Sequence, residues 1–502
     1  MFATLIRNTA ISAVAYFIIS VVGIWVTGLL ASTYGLAAFG MITLSRLFTA
    51  TGLVGIFDLG APENASHVIA QARATGDWAD AWRSTKWLWL FVLISSIFCA
   101  ALILLVSISF SEWIGVEPSG LDIFRQVLVV SAIALPLCLT AQVAEGVIRG
   151  FEHYSVARGL EVAASLGYAI GCWVLMTQEK PFFWVIYLFV VIALIRAIAA
   201  YHFAWGMLKS HVATAEMRHT KHIWHHMLAR TRLVAPNKIL STLQTQSVPL
   251  VVGLTVGVTG AGIYDLLMRL PRFLKATLGL LNSAVLPFAS RLEAANSQST
   301  LRTLHEHGLV VVAFLTAPPT FALATFSKPL LDLWVGDALA RYWLWQSLAF
   351  STPLVTAIIG FASMSMFGRS NVIKFMALMI LARIAIQYGM AFLFIGKIGE
   401  RAFILGATIA VLATAVWELK LLLKLQEVGK RVRYSLLKSF SLCAVLSAVV
   451  FPVTIYVTSI PKLLFSLVLF CLFSWAMIWF VVMPKDFRKR LLSHLKNTSY
   501  WT

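Results

Sequence analysis

Long apolar segments recur along the whole chain and are separated by short polar connections. A helix needs about 20 mostly apolar residues to cross the hydrocarbon core of a bilayer. Fourteen segments approach or exceed this length, at residues 9–31, 37–57, 87–110, 123–148, 156–176, 182–207, 233–256, 261–290, 308–334, 342–366, 372–395, 402–421, 437–457 and 463–483. The pattern predicts an all-α polytopic membrane protein with about fourteen transmembrane helices.

One long polar interruption divides these segments. Residues 209–232 follow the sixth segment and are rich in basic and histidine residues. A transporter built by duplication carries equivalent lobes on the two sides of such a linker. The pattern therefore predicts an N-terminal lobe at 1–208, a C-terminal lobe at 233–425, an added pair of helices at 426–484 and a basic cytoplasmic tail at 485–502.

A short internal repeat supports the duplication. The second segment enters as YGLAAFGMITLSRL and the eighth as VGVTGAGIYDLLMRL. With one inserted residue allowed, three positions match: Gly35 with Gly257, Gly40 with Gly262, and Arg46 with Arg269. Both lobes are therefore predicted to place an arginine about two turns inside the outer end of their second helix.

Composition and charge agree with a membrane protein. Hydrophobic residues make up 60% of the 502 positions and charged residues 12%, which excludes an ordinary soluble globular chain. The net charge of +19 would suggest a nucleic-acid partner in a soluble protein, but membrane proteins concentrate Lys and Arg in their cytoplasmic connections. Twenty-six basic residues lie on the side of the two predicted termini and five on the other. This bias predicts cytoplasmic termini and requires no nucleic acid.

Potential metal ligands form no pattern that requires a metal. All five cysteines lie inside apolar segments, where a thiol behaves as a small hydrophobe. In the linker, His219, His222 and His226 share one helical face, with His225 beside them. An amphipathic helix at the membrane surface explains this pattern without a bound ion. We expect no metal, no cofactor and no disulfide.

The eighth predicted helix carries a row of charges inside the membrane. Its members are spaced four, three and three residues apart, at Asp265, Arg269, Arg272 and Lys275. At about 100° per residue they share a face roughly 120° wide. Charges at mid-bilayer are costly and normally face a partner or a water-filled cavity. Three cations and one anion leave the row net positive, so it predicts a site for an anionic ligand.

Other charges within the predicted helices permit two interpretations each. Arg46 could join the same cavity from the second helix. Three further cations could join it or pair with a structural carboxylate: Arg196, Lys238 and Arg383. Two lie nearer helix ends, where long side chains reach the interface: Arg125 and Lys328.

Carboxylates flank two interruptions of the helical pattern. Gly60 and Pro62 would break the chain between Asp58 and Glu63, which fits an ion-coupling site or an interfacial helix whose polar residues meet water. Asp265 is a third carboxylate that could couple transport to protons or sodium. At the turn after the fourth helix, carboxylates are predicted to pair structurally with nearby arginines: Glu145 and Glu161 with Arg149 or Arg158.

The order of several degenerate motifs resembles a known family over nearly the whole chain. They are DLG after the second segment, RGFEHYSVARGLE between the fourth and fifth, and GAGIYDLLMRL through VLPFASRL across the eighth. Together with the six-plus-six-plus-two layout they resemble the polysaccharide-transport, or Wzx-type O-antigen flippase, family. Its superfamily also contains lipid II flippases and MATE drug exporters.

The resemblance implies two six-helix lobes in a V around a central cavity. Members move undecaprenyl-diphosphate-linked oligosaccharides from the cytoplasmic to the periplasmic leaflet of the bacterial inner membrane by alternating access, without nucleotide hydrolysis. It also implies a monomer among membrane lipids that works with other polysaccharide assembly proteins. Arg269 and Arg46 fall where the lipid II flippases carry basic residues. The first segment has no basic residue, unlike theirs, which favours a different lipid-linked glycan.

Two other classes of protein remain as alternatives. A MATE-like multidrug antiporter would line its cavity with carboxylates and aromatic residues, whereas the deep charges here are mostly basic. A membrane polysaccharide polymerase or ligase would need a large outer loop for its chemistry, and every outer connection is about a dozen residues or shorter. No nucleotide-binding motif or catalytic residue set is present in the sequence, so we expect no enzyme.

Overall fold

The computed structural model describes residues 2–110, 118–212, 223–283, 298–364, 370–425, 429–483 and 488. Within these ranges the regular structure is helical and includes no strand. Eight α-helices make up the first part: α1 Phe2–Leu47, α2 Ala61–Thr75, α3 Trp78–Leu105, α4 Pro118–Gly150, α5 Tyr154–Thr177, α6 Phe183–Val212, α7 Ile223–Val256 and α8 Val258–Ser283.

Nine further α-helices follow: α9 Gln298–Thr325, α10 Ser327–Trp334, α11 Asp337–Ala340, α12 Trp343–Ala349, α13 Ser351–Met364, α14 Ser370–Ile398, α15 Arg401–Leu425, α16 Lys430–Val450 and α17 Ile460–Met477. Short 3₁₀ turns lie at Leu53–Asp58 and Phe451–Tyr456, and single π-helical turns extend α3 and α17. The all-α fold class predicted from the sequence is confirmed.

Twelve helical segments of the described chain are long and apolar enough to cross a membrane. This number differs from the fourteen predicted at two places. The first two predicted helices run together as α1, with a kink between them at Gly35, whose backbone is non-helical (φ 82°, ψ 169°). Helix α8 has the length of a span but carries four charged residues within its core. The count of fourteen and the cytoplasmic termini therefore stay predictions.

Two predicted helix ends are wrong. The second helix was expected to reach residue 57 but ends at Leu47, where Gly52 folds back: a Cβ there would lie 2.5 Å from the Leu47 carbonyl oxygen. The ninth was expected to reach residue 334 but ends at Thr325, before the separate helix α10. The two helices are separated at Phe326, whose backbone (φ −92°, ψ 16°) is not α-helical, and Pro329 lies in the first turn of α10, where its missing N–H is tolerated.

The chain divides into two compact units, Met1–Leu266 and Leu267–Thr502. In the first unit α4 packs against α2, α3 and α6, while α1 packs along α5. In the second, α14 and α15 form the most extensive helix pair, and α9 packs on α13, α16 and α17. This division follows packing and falls within α8, whereas the predicted lobes follow the polar linker. The lobe boundaries therefore stay a prediction.

The glycines matched in the sequence occupy equivalent positions in the first unit. Gly35 and Gly257 both adopt left-handed backbones, with φ of 82° and 101°. A Cβ on Gly40 would lie 2.0 Å from the Val258 carbonyl oxygen, and one on Gly262 would lie 2.6 Å from the Leu36 carbonyl oxygen. The contact is reciprocal, because Val258 precedes Gly262 by four residues as Leu36 precedes Gly40. Such close backbone crossings need residues without side chains.

Candidate functional site

Arg46 lies in the last turn of α1, half-buried between two aromatic rings. Its Nη2 donates to the Tyr168 hydroxyl of α5 at 2.7 Å. The guanidinium carbon lies 5.2 Å from the centroid of the Tyr168 ring and 5.1 Å from that of Phe189 on α6. Cation–π contacts of this kind hold the guanidinium in place without neutralising its charge.

A carboxylate from α8 partly balances Arg46. Asp265, with 5% of its surface exposed, lies within electrostatic range of the guanidinium. The Arg46 Nε is buried and has no hydrogen-bond partner among the described residues. The first unit therefore holds an anchored cation, one aromatic hydroxyl and one acidic neighbour at the start of the predicted anion site.

The charged row on α8 becomes more accessible along its length. Asp265 is buried, Arg269 and Arg272 are half-buried, and Lys275 is exposed. The apolar side of the helix packs against the rest of the protein. Leucines recur on it every four residues and are all buried: Leu266, Leu270, Leu274 and Leu278. A helix surface in contact with lipid would show the reverse arrangement. The accessible face of α8 is its cationic face.

A second helix adds positive charge to this face in the second unit. Lys275 lies within electrostatic range of both Arg272 and Arg383, and each of these arginines repels it. Arg383 is in the middle of α14, in a segment that has no other charged residue between Lys374 and Lys397. Repulsion between clustered cations is relieved when an anion binds among them.

Arg383 is held by two groups of α15. Its Nε donates to the Thr414 hydroxyl at 2.8 Å, and its Nη2 donates to Oε2 of Glu418. Both side chains of the ion pair are buried, that of Glu418 completely. Arg383 therefore pairs with a carboxylate, which is one of its two predicted interpretations, and its place in a cationic cavity stays a prediction.

Arg196 pairs with a structural carboxylate, the second of the two interpretations that the sequence allowed. Its Nε and Nη2 donate to the two carboxylate oxygens of Glu145 on α4 at 2.8 and 2.9 Å. Nη2 also lies 3.4 Å from Oε1 of Glu161, whose Oε2 accepts from Arg158 at 2.7 Å. Two arginines and two glutamates form a neutral network across α4, α5 and α6. We therefore do not include Arg196 in the anion site.

The two predicted coupling carboxylates at the start of α2 have different surroundings. Asp58 is buried, and its Oδ1 accepts from the Gly60 N–H at 2.8 Å, which closes the turn into α2. Glu63 is exposed in the first turn of that helix. The predicted break lies here, since Leu59 and Gly60 both have left-handed backbones. Helix α2 buries Ala65 and exposes its charged side, as an interfacial helix does.

Arg125 and Lys328 add no group to the site. Arg125 pairs with the exposed Asp122 near the beginning of α4, at 3.8 Å, and Lys328 is exposed in α10. The side chain of Lys238 and the histidine cluster of the linker lie outside the described residues. In the part of the chain that is described, no three His, Cys, Asp or Glu side chains are grouped to hold a metal.

Three side chains that contact the predicted cations were not predicted from the sequence. Tyr168 and Phe189 look like ordinary membrane aromatics, and no local signal connects them with Arg46. Glu418 had a signal that could have been used: it is a carboxylate inside an apolar segment, in AVWELKLL. An acidic side chain inside a bilayer costs about as much free energy as a basic one, so it is equally good evidence for a functional or paired charge.

Comparisons with known proteins agree with this architecture. The family described as "Polysaccharide biosynthesis protein" matches residues 29–343, which is more than half of the chain. No curated protein matches. Among solved structures, an inward closed conformation of the lipid II flippase MurJ is similar over 93% of this chain and 98% of that chain, with a TM-score of 0.65 and 13% identity.

MATE transporters are similar as well. An inward-facing multidrug resistance MATE family transporter of the MOP superfamily covers 83% of this chain and 96% of its own, with a TM-score of 0.61 and 13% identity. A mutant of the Vibrio cholerae MATE transporter VcmN covers 85% and 97%, with a TM-score of 0.59 and 14% identity. At these identities the likeness shows the fold, which is that of flippases and multidrug transporters.

Proposed function

The chain belongs to the polysaccharide biosynthesis protein family, and from this premise we propose that it translocates a lipid-linked oligosaccharide across the membrane. The substrate class is an undecaprenyl-diphosphate-linked repeat unit of O-antigen or exopolysaccharide. It would pass from the cytoplasmic to the periplasmic leaflet of a bacterial inner membrane by alternating access. The head group, a diphosphate with sugars, is an anion that needs a hydrated and cationic path through hydrocarbon.

The observation that carries this proposal is the orientation of α8. The helix buries its leucines and leaves Arg269, Arg272 and Lys275 accessible. A cationic face in contact with lipid tails would be strongly unfavourable, so this face lines water. Arginine suits the role because its planar fork of donors matches two phosphate oxygens at once. Arg46, Arg383 and Lys238 are the further cations that we assign to the path.

The charge of the face separates this proposal from its main alternative. A cation-exporting antiporter needs accessible carboxylates, but Asp265 is the buried end of the α8 row and its accessible end is Lys275. The membrane potential, negative inside, favours outward movement of an anion by about 2.3 kcal/mol per charge for each 100 mV. Asp58, Glu63 and Asp265 stay predicted coupling groups in addition to this force.

Substitution of the α8 cations tests the proposal. We expect Arg269→Ala with Arg46→Ala, and separately Arg272→Ala with Lys275→Ala, to abolish delivery of lipid-linked glycan to the periplasm while the protein still inserts. Arg125→Ala is the matched control, since this arginine lies near a helix end beside Asp122. Normal surface-glycan output from cells that rely on either double variant would refute the anion path.

Depletion identifies the substrate. We expect one polyisoprenoid-linked sugar to accumulate on the cytoplasmic leaflet when the protein is removed. The glycan on that lipid identifies the transported substrate. Gained sensitivity to cationic dyes, without any accumulated lipid-linked sugar, would favour the multidrug antiporter instead.

A further inference from the structure

Glu418 is a buried carboxylate that uses only half of its hydrogen-bonding capacity. Its Oε2 accepts from Arg383, while its Oε1 is buried without a hydrogen-bond partner among the described residues. The residue has 0% of its surface exposed, so bulk water does not solvate the carboxylate in this structure. An ionised carboxylate oxygen without a donor is costly in a medium of low dielectric constant. A proton on Oε1 removes that cost and needs no additional space.

Among the described residues, the charged groups on the helices that pack against α15 are few and positive. Helix α15 packs against α12, α13 and α14, and the first two carry no titratable side chain. On α14, Arg383 faces the carboxylate, whereas Lys374, Tyr388 and Lys397 lie on other turns. On α15 itself, Lys420 and Lys424 are about 200° and 240° around the helix from Glu418. From α8, Lys275 lies within electrostatic range of Arg383, and Arg272 lies within electrostatic range of Lys275.

Two negatively charged groups can therefore compete to bind the Arg383 guanidinium. Glu418 holds it through a single carboxylate oxygen, and an anion bound at Lys275 would attract the same guanidinium. The hydrogen bond to Thr414 keeps the Nε of Arg383 in place while Nη2 changes partner. A guanidinium that turns towards an anion leaves Glu418 buried without its counterion, a state that favours the protonated acid.

We propose that Glu418 is a protonation site that controls whether Arg383 is available to an anionic diphosphate. In the resting state the ionised carboxylate binds Arg383. When the diphosphate binds beside Lys275, Arg383 is shared with the phosphate oxygens and Glu418 takes up one proton at Oε1. Release of the anion returns Arg383 to Glu418, and the proton leaves. Glu418 is thus a positioning residue that links proton binding to anion binding.

Linkage fixes the sign of the expected pH dependence. Because anion binding takes up a proton, acidification tightens the binding of the anion, by up to about tenfold per pH unit for one linked proton. Only the identity of the anion in this inference rests on the proposed function. The protonation of Glu418 can be measured without transport.

The first experiment measures binding of undecaprenyl diphosphate, without sugar, to the purified full-length protein in detergent as a function of pH. We expect wild-type affinity to increase as pH falls, and Glu418→Gln to bind with the affinity of the acid form at every pH. Glu145→Gln is the matched control, because both oxygens of Glu145 are already paired with Arg196. A Glu418→Gln protein with the wild-type pH dependence would overturn the proposal.

The second experiment records infrared difference spectra of the same proteins with and without inorganic pyrophosphate. We expect pyrophosphate to produce a protonated carboxylic acid band in wild type and in Glu145→Gln, and no such band in Glu418→Gln. A wild-type spectrum without that band, or a band that survives in Glu418→Gln, contradicts the proposal even if the α8 variants lose glycan delivery. Failure of the α8 variants to affect delivery would instead refute the proposed function and leave the protonation result standing.

Discussion

Each unit contains an arginine paired with a glutamate from a neighbouring helix, and the two pairs differ in how completely they are satisfied. Arg196 meets Glu145 with two hydrogen bonds, and Glu161 and Arg158 extend the pair into a neutral network. Arg383 meets Glu418 through one oxygen, and the cation Lys275 lies within electrostatic range of it. The first arrangement joins three helices, while the second keeps an arginine that can exchange partners.

The two ion pairs also differ in how much of their side chains is exposed to solvent. In the first pair the side chains of Arg196 and Glu145 are 26% and 13% exposed, so water helps to solvate both charges. In the second pair the corresponding values are 8% and 0%. The free-energy cost of breaking an ion pair depends strongly on this exposure. At an accessible site water replaces the lost partner, whereas at a fully buried site the remaining charge has no replacement. The same two residue types therefore support different roles.

The largest expected effect comes from removing the arginine of the sealed pair. Arg383→Ala leaves Glu418 buried without a counterion, and we expect a loss of about 3–5 kcal/mol in the free energy of unfolding. Arg196→Ala should cost about 1–3 kcal/mol, since water and Arg149 remain near Glu145. Equilibrium unfolding in detergent measures both. Equal losses for the two variants would show that the pairs do not differ as described.

A smaller effect on stability is expected when both partners become apolar. Arg383→Met with Glu418→Leu removes two buried charges, and such replacements are often neutral or stabilising by about 1–4 kcal/mol. We expect this protein to be at least as stable as wild type and yet to lose glycan delivery. Arg196→Met with Glu145→Leu should retain delivery, because it changes only the structural network. Retained delivery in the first double variant would place Arg383 outside the anion path.

The smallest effect tests the anchor of Arg383. Thr414→Val removes the hydroxyl that accepts from Nε, at a cost of about 1 kcal/mol. Thr408→Val, on the same helix, is the control, because its buried hydroxyl has no hydrogen-bond partner among the described residues. We expect Thr408→Val to stay within about 0.5 kcal/mol of wild type. Unfolding curves that rank the two valine variants in the opposite order would contradict the anchoring role.

Some of the site could be read from local spacing. The row from Asp265 to Lys275 follows from the helical repeat, which places those residues on one face wherever the helix lies. The paired glycines were matched by sequence, and they turn up with left-handed backbones and a reciprocal contact. Helix ends were harder, because the end at Leu47 depends on a fold-back at Gly52 that hydropathy does not detect.

The partners of each charge could not be read in this way. The sequence left Arg196 and Arg383 with two interpretations each, since a carboxylate 35 residues away along the chain, as Glu418 is from Arg383, has no local relation to it. Packing of α14 against α15 brings them together, and packing of α5 and α6 brings Tyr168 and Phe189 to Arg46. Contacts between helices depend on which faces meet, and periodicity within one helix carries no information about that choice.

By itself the sequence determined that this chain is helical, resides in a membrane and bears cations inside it, because hydrophobic length and helical repeat are properties of contiguous residues. The tertiary structure decided which cations are accessible on α8, which are balanced by carboxylates and which carboxylate is left half-satisfied. The physical reason is that solvation and pairing of a charge are set by atoms within a few ångströms in space, and in a helical bundle most of those atoms come from other helices.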